Sequence, residues 1–480
     1  MALKVEKQIY IDYAICDPKE CEFECLDVCP VTKRDIQNPA ICNKEGKPVI
    51  VEEICTECRR CQRSCPLGAI FFNGKPLLSK VKKIKNGKLV DLKIWKSKPY
   101  VLDEMKFNRF NRQNTIFSRV SNDPQFPSFK KGIYSSHEMI IEQNKSGYSI
   151  IEAALSTASW TVHDKFAGAF SWGKIQTTPD IKFDEVEVDI KKFEIDNPKE
   201  MSKVIKQVGK GFGAALVGIT KLNRDWIYTH DRSGEIVNIP DTIQNVIVIA
   251  IEMDLEALQT SPAFTAAFAT GNGYSRMAFV QSCMAEFIRN LGYAAIPAGN
   301  GVGLSVPLAI DAGLGQYGRH GLLITEEYGS NVRLCKVFTD MPLDSDEPID
   351  LGVLDFCRTC KRCAESCPSN SISTEVNPTW EGPTKSNNPG IYKWYVNVET
   401  CYQFWTKNGN DCSNCIVACP FTKNKHWSHK IARFFIKKFP RFNKLWVKLD
   451  HLFGYGKQRD PQEFWNDDKK FIHTRSNSKT

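Results

Sequence analysis

The sequence lacks any apolar run approaching the ~20 residues of a bilayer-crossing helix; the nearest is the strand-like stretch from Val246 to Ile251. It has no hydrophobic signal region at the start, and its early Arg-Arg pair, Arg59-Arg60, lies among cysteines rather than ahead of an apolar segment. The expectation is a cytoplasmic protein without a transmembrane segment. No G-x-x-x-x-G-K-S/T occurs, which excludes a phosphate-loop ATPase. The net charge of +9 arises from 64 basic and 55 acidic residues spread along the chain, so no localised patch argues for nucleic acid. That charge does leave room for an acidic redox partner or for peripheral contact with an anionic membrane surface. With 480 residues, 42% of them hydrophobic, the chain can build about three domains with ordinary cores. A scaffold stapled by disulfides is therefore excluded, although cysteine is plentiful at 19.

Sixteen of those cysteines fall into four runs, each ending in Cys-Pro: Cys16/Cys21/Cys25/Cys29, Cys55/Cys58/Cys61/Cys65, Cys357/Cys360/Cys363/Cys367 and Cys401/Cys412/Cys415/Cys419. The second and third keep the C-x2-C-x2-C-x3-C-P spacing of bacterial-type ferredoxins, in which three cysteines hold one [4Fe-4S] cluster and the fourth crosses to another. A tetrahedral zinc site has no use for the third and fourth cysteines of such a run. Crossed pairing gives clusters on Cys16, Cys21, Cys25 and Cys65; on Cys29, Cys55, Cys58 and Cys61; on Cys357, Cys360, Cys363 and Cys419; and on Cys367, Cys401, Cys412 and Cys415. Cys42, Cys283 and Cys335 have no partner pattern, and Cys42 reads as a buried hydrophobe.

Residues 1–78 form the first two-cluster module, and 79–100 are a lysine-rich linker or hairpin. Residues 101–198 are polar and aromatic, with Phe107, Phe110, Phe117, Trp160, Phe166, Phe170 and Trp172, show no clean periodicity, and are expected to wrap another domain. From about 200 to 343, strand-like runs (Ala214 to Ile219, Val246 to Ile251, Ala294 to Pro297, Val332 to Phe338) alternate with helical spacing, which predicts an α/β (α+β) core. Met277, Val280, Met284, Phe287, Ile288 and Leu291 predict an amphipathic helix from Tyr274 to Leu291, and Val302 to Leu314 a second helix. Glycines at 271/273, 299/301/303 and 313/315/318/321 are expected mostly in loops that let backbone approach a large ligand. Residues 344–425 form the second two-cluster module. Residues 426–480 are an extension with a basic amphipathic stretch from Lys430 to Phe439, whose apolar face is expected to pack on the protein, and a disordered tail after about 471.

Tyr317 to Thr325, Val332 to Leu343, Cys357 to Pro368, and Cys401-Tyr402-Gln403-Phe404-Trp405 with Asn408-Gly409 leading into Cys412 to Pro420, resemble the corrinoid-dependent reductive dehalogenases in order and spacing. Gly454-Tyr455-Gly456 near Asp460-Pro461 fits the family's C-terminus, so the likeness runs from about 101 to 468. Two departures stand out. The twin-arginine export signal of respiratory members is missing, and in its place the C-x4-C-x3-C-x3-C-P opening resembles the iron–sulfur domain of the ribosome-recycling ATP-binding cassette protein.

The resemblance implies cobalamin or a related corrinoid held between the core and the second cluster module, with Gly299, Gly301, Gly318, Arg319 and His320 as contacts. The sequence has no D-x-H-x-x-G and only eight histidines, which favours a base-off corrinoid. Removing halide from an organohalide consumes two electrons and a proton. The resemblance places the proton donor at Tyr274, with Arg333 as the cation that stabilises the phenolate and Asn300 as a polar partner for the leaving halide. Low-potential electrons from a ferredoxin, flavodoxin or reductase would reach cobalt through the clusters. The alternatives are an epoxyqueuosine-reductase-like corrinoid enzyme acting on tRNA, and a multi-cluster electron-transfer or corrinoid-carrier protein without catalysis.

Overall fold

The computed structural model describes residues 9–11, 13, 16, 18, 22–51, 53–56, 58, 60–65, 69–72, 78–85, 88–95, 102–103, 106–133, 137–143, 145–164, 192–423 and 427–465. Cys21, Phe166, Phe170, Trp172 and the tail after 471 lie outside the described residues. By contact the chain divides into two units. One comprises 1–107 with 347–350 and 390–392, and the other 108–346, 351–389 and 393–480.

In the first unit, β1 (Ile9–Ile11) pairs antiparallel with β4 (Ile70–Phe72), and β2 (Ile41–Lys44) with β3 (Lys47–Ile50). The β2–β3 hairpin turns through Glu45 and Gly46, both at positive φ, and the Gly46 N–H donates to Asn43 Oδ1 at 2.9 Å. Short helices α1 (Glu24–Asp27), α2 (Pro30–Arg34) and α3 (Arg60–Ser64) carry the cysteines inward, where Cys25, Cys29, Cys61 and Cys65 pack with Ala40, Ile41, Ala69 and Ile70. The lysine-rich segment is a hairpin of two eight-residue strands, β5 (Leu78–Lys85) and β6 (Lys88–Trp95).

The second unit is built on a four-stranded sheet. Its elements in chain order are α4 (Ile150–Ser159), α5 (Pro198–Gly211), β7 (Leu216–Lys221), β8 (Asn245–Glu252), α6 (Phe264–Arg289), β9 (Ala295–Ala298), α7 (Ser305–Asp311) and β10 (Val332–Thr339). Strand order is β7-β8-β10-β9 and every pairing is antiparallel, so the core is α+β rather than a parallel βαβ array. Ile247, Ile249 and Ile251 of β8 meet Met277, Val280, Met284 and Ile288 of α6, while α7 packs across β8 and β10. Helices cover both faces, which is why β8 is apolar at every position from Val246 to Ile251 instead of alternating. Gly218 permits this closeness, since a Cβ there would strike the Ala312 carbonyl.

Helix α6 corrects the expected boundary. It begins ten residues before Tyr274, at Phe264, and runs 26 residues through Gly271 and Gly273, which are not loop residues. A Cβ at Gly271 would collide with Ser159 Oγ and the Trp160 indole, and one at Gly273 would press on Arg333 and Met253. The glycines admit neighbouring elements to the helix surface, and that function carries the same residue type as a turn.

The second cysteine segment belongs to this same unit, through α8 (Val353–Thr359), α9 (Arg362–Glu365), α10 (Val398–Asn408) and α11 (Asn414–Val417). The aromatic stretch touches both parts. Phe110 lies against Tyr228, Phe117 and Phe126 against Tyr402, and the Tyr148 hydroxyl bonds both Pro262 O and Asn408 Oδ1 at 2.8 Å. Helices α12 (Trp427–Lys438) and α13 (Asn443–Leu452) close the chain's described part with a short helix at Pro461–Trp465.

Candidate active site and cluster ligands

The second unit brings Tyr274, Asn300 and Arg333 together from three elements. Tyr274 projects from the middle of α6, Arg333 from the start of β10 and Asn300 from the loop between β9 and α7. The Asn300 side-chain amide donates to the Tyr274 hydroxyl at 2.8 Å, and the Arg333 guanidinium carbon sits 4.9 Å from the Tyr274 ring centroid. Arg333 is fixed by Nη2 donating to Thr270 Oγ1 and Nε pointing at Met253 Sδ, each at 3.1 Å. The Trp160 ring stacks on Tyr274 at 4.9 Å and 23°, and His163 meets it edge-on at 5.3 Å.

Several residues of this site had no motif to announce them. Asp411, buried directly before Cys412, accepts from the Thr270 hydroxyl and feels the Arg333 charge. Burial pushes its carboxyl up while those two groups hold it down. Lys336 is wholly buried on β10 with no carboxylate among its bonded partners. Its Nζ donates to the carbonyls of Gly299 (2.7 Å) and Gly303 (3.1 Å) and to Ser305 Oγ (2.8 Å), clamping the loop that carries Asn300. Burial, with the Arg112 charge nearby, holds its ammonium down at about 7. A lysine set among Leu334, Cys335, Val337 and Phe338 was the available signal. Trp160 and His163 lay in a stretch without periodicity.

Of the expected corrinoid contacts, Gly299 and Gly301 flank Asn300 in the clamped loop. Arg319 is a correction. Its guanidinium is 1% exposed, lies 4.6 Å from the Trp394 ring, and donates to the carbonyls of Cys357, Cys360, Ser373 and Glu375. With four of its five N–H groups committed to these carbonyls and its side chain buried, the residue braces the cysteine segment. Gly318 makes room for His320, whose Nδ1 accepts from the Leu322 N–H at 3.2 Å. Burial drives the imidazole down to about 4, so it is neutral, and its buried Nε2 has no hydrogen-bond partner among the described residues.

In the second unit Cys357, Cys360, Cys363 and Cys419 feel one another's charge, as do Cys367, Cys401, Cys412 and Cys415, and Cys415 also feels Cys419 and is felt by Cys363. Burial, then neighbouring thiols, pushes Cys357 and Cys401 up to about 12. Among the described residues no trio of His, Cys, Asp or Glu closes tightly enough around a single ion. A four-iron cluster needs a wider set of thiolates than one ion does, and it supplies the positive charge that these crowded thiols lack. Backbone N–H groups already point at sulfur, as from Ser371 to Cys367 Sγ at 3.3 Å. In the first unit Cys29, Cys55, Cys58 and Cys61 line one small cavity together with Ala40, Ile41 and Ile50. Cys16, Cys25 and Cys65 share the adjoining core.

Residues 223–343 match the sequence profile described as reductive dehalogenase subunit, and residues 356–423 match that of a 4Fe-4S dicluster domain. The tetrachloroethene reductive dehalogenase of Sulfurospirillum multivorans is 36% identical over 350 residues, covering 65% of this chain and 70% of the relative. The chain belongs to the reductive dehalogenase family. A tetrachloroethene reductive dehalogenase of Desulfitobacterium hafniense is 33% identical over 389 residues, 67% of this chain and 70% of its own length. Among solved structures, the catabolic reductive dehalogenase NpRdhA superposes with a TM-score of 0.60 at 18% identity, over 79% of this chain and 49% of that one. This family member thus spans about half the length of the solved structures that it matches, and at that identity the likeness concerns the fold. No described helix is long and apolar enough to cross a membrane.

Proposed function

We propose that this chain is a corrinoid- and iron–sulfur-dependent reductive dehalogenase that exchanges the halogen of a small organohalide for hydrogen. The observation that carries the reading is the Tyr274 hydroxyl held at 2.8 Å by Asn300 and overlain by Arg333, in a chain of this family. The overall change takes up two electrons and one proton and releases a halide. Tyr274 gives its hydroxyl proton to carbon. The Asn300 amide and the Arg333 guanidinium then face the negative charge left on oxygen, where a donor and a cation stabilise it most. Proton return to Tyr274 from solvent completes the cycle.

A bound corrinoid supplies the low-potential two-electron chemistry at the carbon–halogen bond. The Gly299–Gly303 loop, which lacks side chains at alternate positions, and the unpartnered His320 Nε2 are the features that fit such a group. A base-off corrinoid is the form we infer, because His320 is neutral, buried and bonded through Nδ1 to its own turn. Four [4Fe-4S] clusters, two on each pair of cysteine runs in the crossed arrangement, would feed it from a low-potential ferredoxin, flavodoxin or reductase. In domain terms, a ferredoxin-like module at 1–78 precedes the linker at 79–100, the core at 101–343, the second module at 344–425 and the extension from 426. A reducing, cytoplasmic setting suits this many paired thiols.

Anaerobic reconstitution with cobalamin, iron and sulfide, followed by halide release from chlorinated and brominated aromatics and alkenes under a low-potential reductant, tests the reading. Cobalt binding without halide release from any of them would overturn it in favour of a carrier.

A further inference from the structure

Helices α12 and α13 present two different faces. The inner one is pinned to the protein. Arg433 donates to the carbonyls of Glu326 (2.7 Å), Glu327 (3.2 Å) and Phe421 (3.1 Å), Ile436 is buried, and buried Asp450 pairs with Lys423 Nζ at 2.9 Å. The outer face is apolar and is exposed among the described residues. Ile431 and Phe434 of α12, Phe439 and Phe442 of the intervening turn, and Leu445 and Leu452 of α13 are between 37% and 77% exposed. The expected packing of the phenylalanines onto the protein is thus reversed: an arginine and an isoleucine occupy the inner stripe.

The charge on this face has one sign. Residues 427–453 carry five lysines and two arginines, of which Arg433 points inward, against a single acid, Asp450, which also points inward and is already paired. Lys438 reaches over the Phe434 ring at 4.8 Å and Arg441 over Phe442 at 5.0 Å. Long cationic side chains flanking exposed aromatics are what an interfacial helix uses to bury its rings while its charged ends stay at the headgroups. The two helices, 12 and 10 residues long, are too short to span a bilayer.

We propose that the outer face of α12 and α13 is a peripheral docking surface for a bilayer rich in anionic headgroups. The choice of a bilayer over a protein rests on two features. The outward charge is wholly positive, complementary to anionic lipid. The apolar side chains are large, protruding and spread over two helices and the intervening turn, so a fluid acyl layer receives them without a matched groove. Docking there would bring the enzyme to the phase in which poorly soluble organohalides concentrate.

The reconstituted full-length protein is sedimented with sucrose-loaded phosphatidylcholine vesicles containing about 30% phosphatidylglycerol at about 0.1 M salt. The expected result is partitioning at least about tenfold stronger than with phosphatidylcholine alone, and weaker in high salt. Phe434→Ser/Phe442→Ser/Leu445→Ser and Lys438→Glu/Arg441→Glu/Lys444→Glu should each lose about tenfold or more of it, while halide release with a soluble reductant is unchanged. Partitioning that neither variant alters, or none at all, overturns the proposal. So does lipid-free self-association, or capture of an acidic electron-carrier protein, that the triple serine variant abolishes while vesicle binding stays weak.

Discussion

Lys336 Nζ donates to the Gly299 carbonyl at 2.7 Å, and one residue further along the same loop Asn300 donates to the Tyr274 hydroxyl at 2.8 Å. A buried cation thus sets the position of the residue that faces the Tyr274 hydroxyl. In the ammonium form three N–H donors meet three acceptors.

Replacing Lys336 with Met should loosen that loop and lower turnover about 10–10²-fold, with cofactor loading intact. The same lysine shapes stability. Below pH 7 native and unfolded lysine are both charged and the burial cost is carried in full. Between about 7 and the ordinary value of 10.5 the unfolded chain binds more protons, so stability should rise with pH. Urea melts across that window should show this rise in the parent and a flatter line in Lys336→Met.

Tyr274→Phe keeps the ring between Trp160 and Arg333 and deletes the hydroxyl that Asn300 holds. Halide release should fall about 10²–10⁴-fold while cobalt and iron contents stay normal. Full activity in this variant would return proton delivery to water.

Arg333→Lys retains the charge and loses the fork that reaches Thr270 and Met253 together, so partial activity is expected. Arg333→Leu should abolish turnover and cost about 1–3 kcal/mol of stability, because buried Asp411 loses its nearby cation. Adding Asp411→Asn should recover the stability and not the activity, a coupling that a double-mutant cycle in urea measures.

The crossed ligation has its own signature. Iron analysis should give about sixteen irons per chain, and a value near half of that would leave one cysteine pair of runs empty. Cys419→Ser and Cys367→Ser, although both lie in Cys-Pro steps, should each weaken a different cluster signal in electron paramagnetic resonance of the reduced protein. Loss of the same signal from both would refute the crossing.

Cysteine spacing and the Tyr317–Leu343 motifs carried the family and the dicluster segment at 356–423 on their own, because iron–sulfur ligation is written in short local runs. The Val246–Ile251 strand and the Met277–Ile288 face of α6 were equally legible, since burial imposes a period on the chain. What needed the tertiary structure were pairings between distant residues. Gly271 resembles a turn residue until α4 is seen crossing it, and Arg319 resembles a ligand-binding cation until four backbone carbonyls are found around it. Asp411 and Lys336 entered the site through partners 141 and 37 residues away. The side of α12 that turns inward was decided likewise, by carbonyls that only the folded chain sets against Arg433. Local periodicity records which residues are buried; which buried groups meet depends on the packing of whole elements.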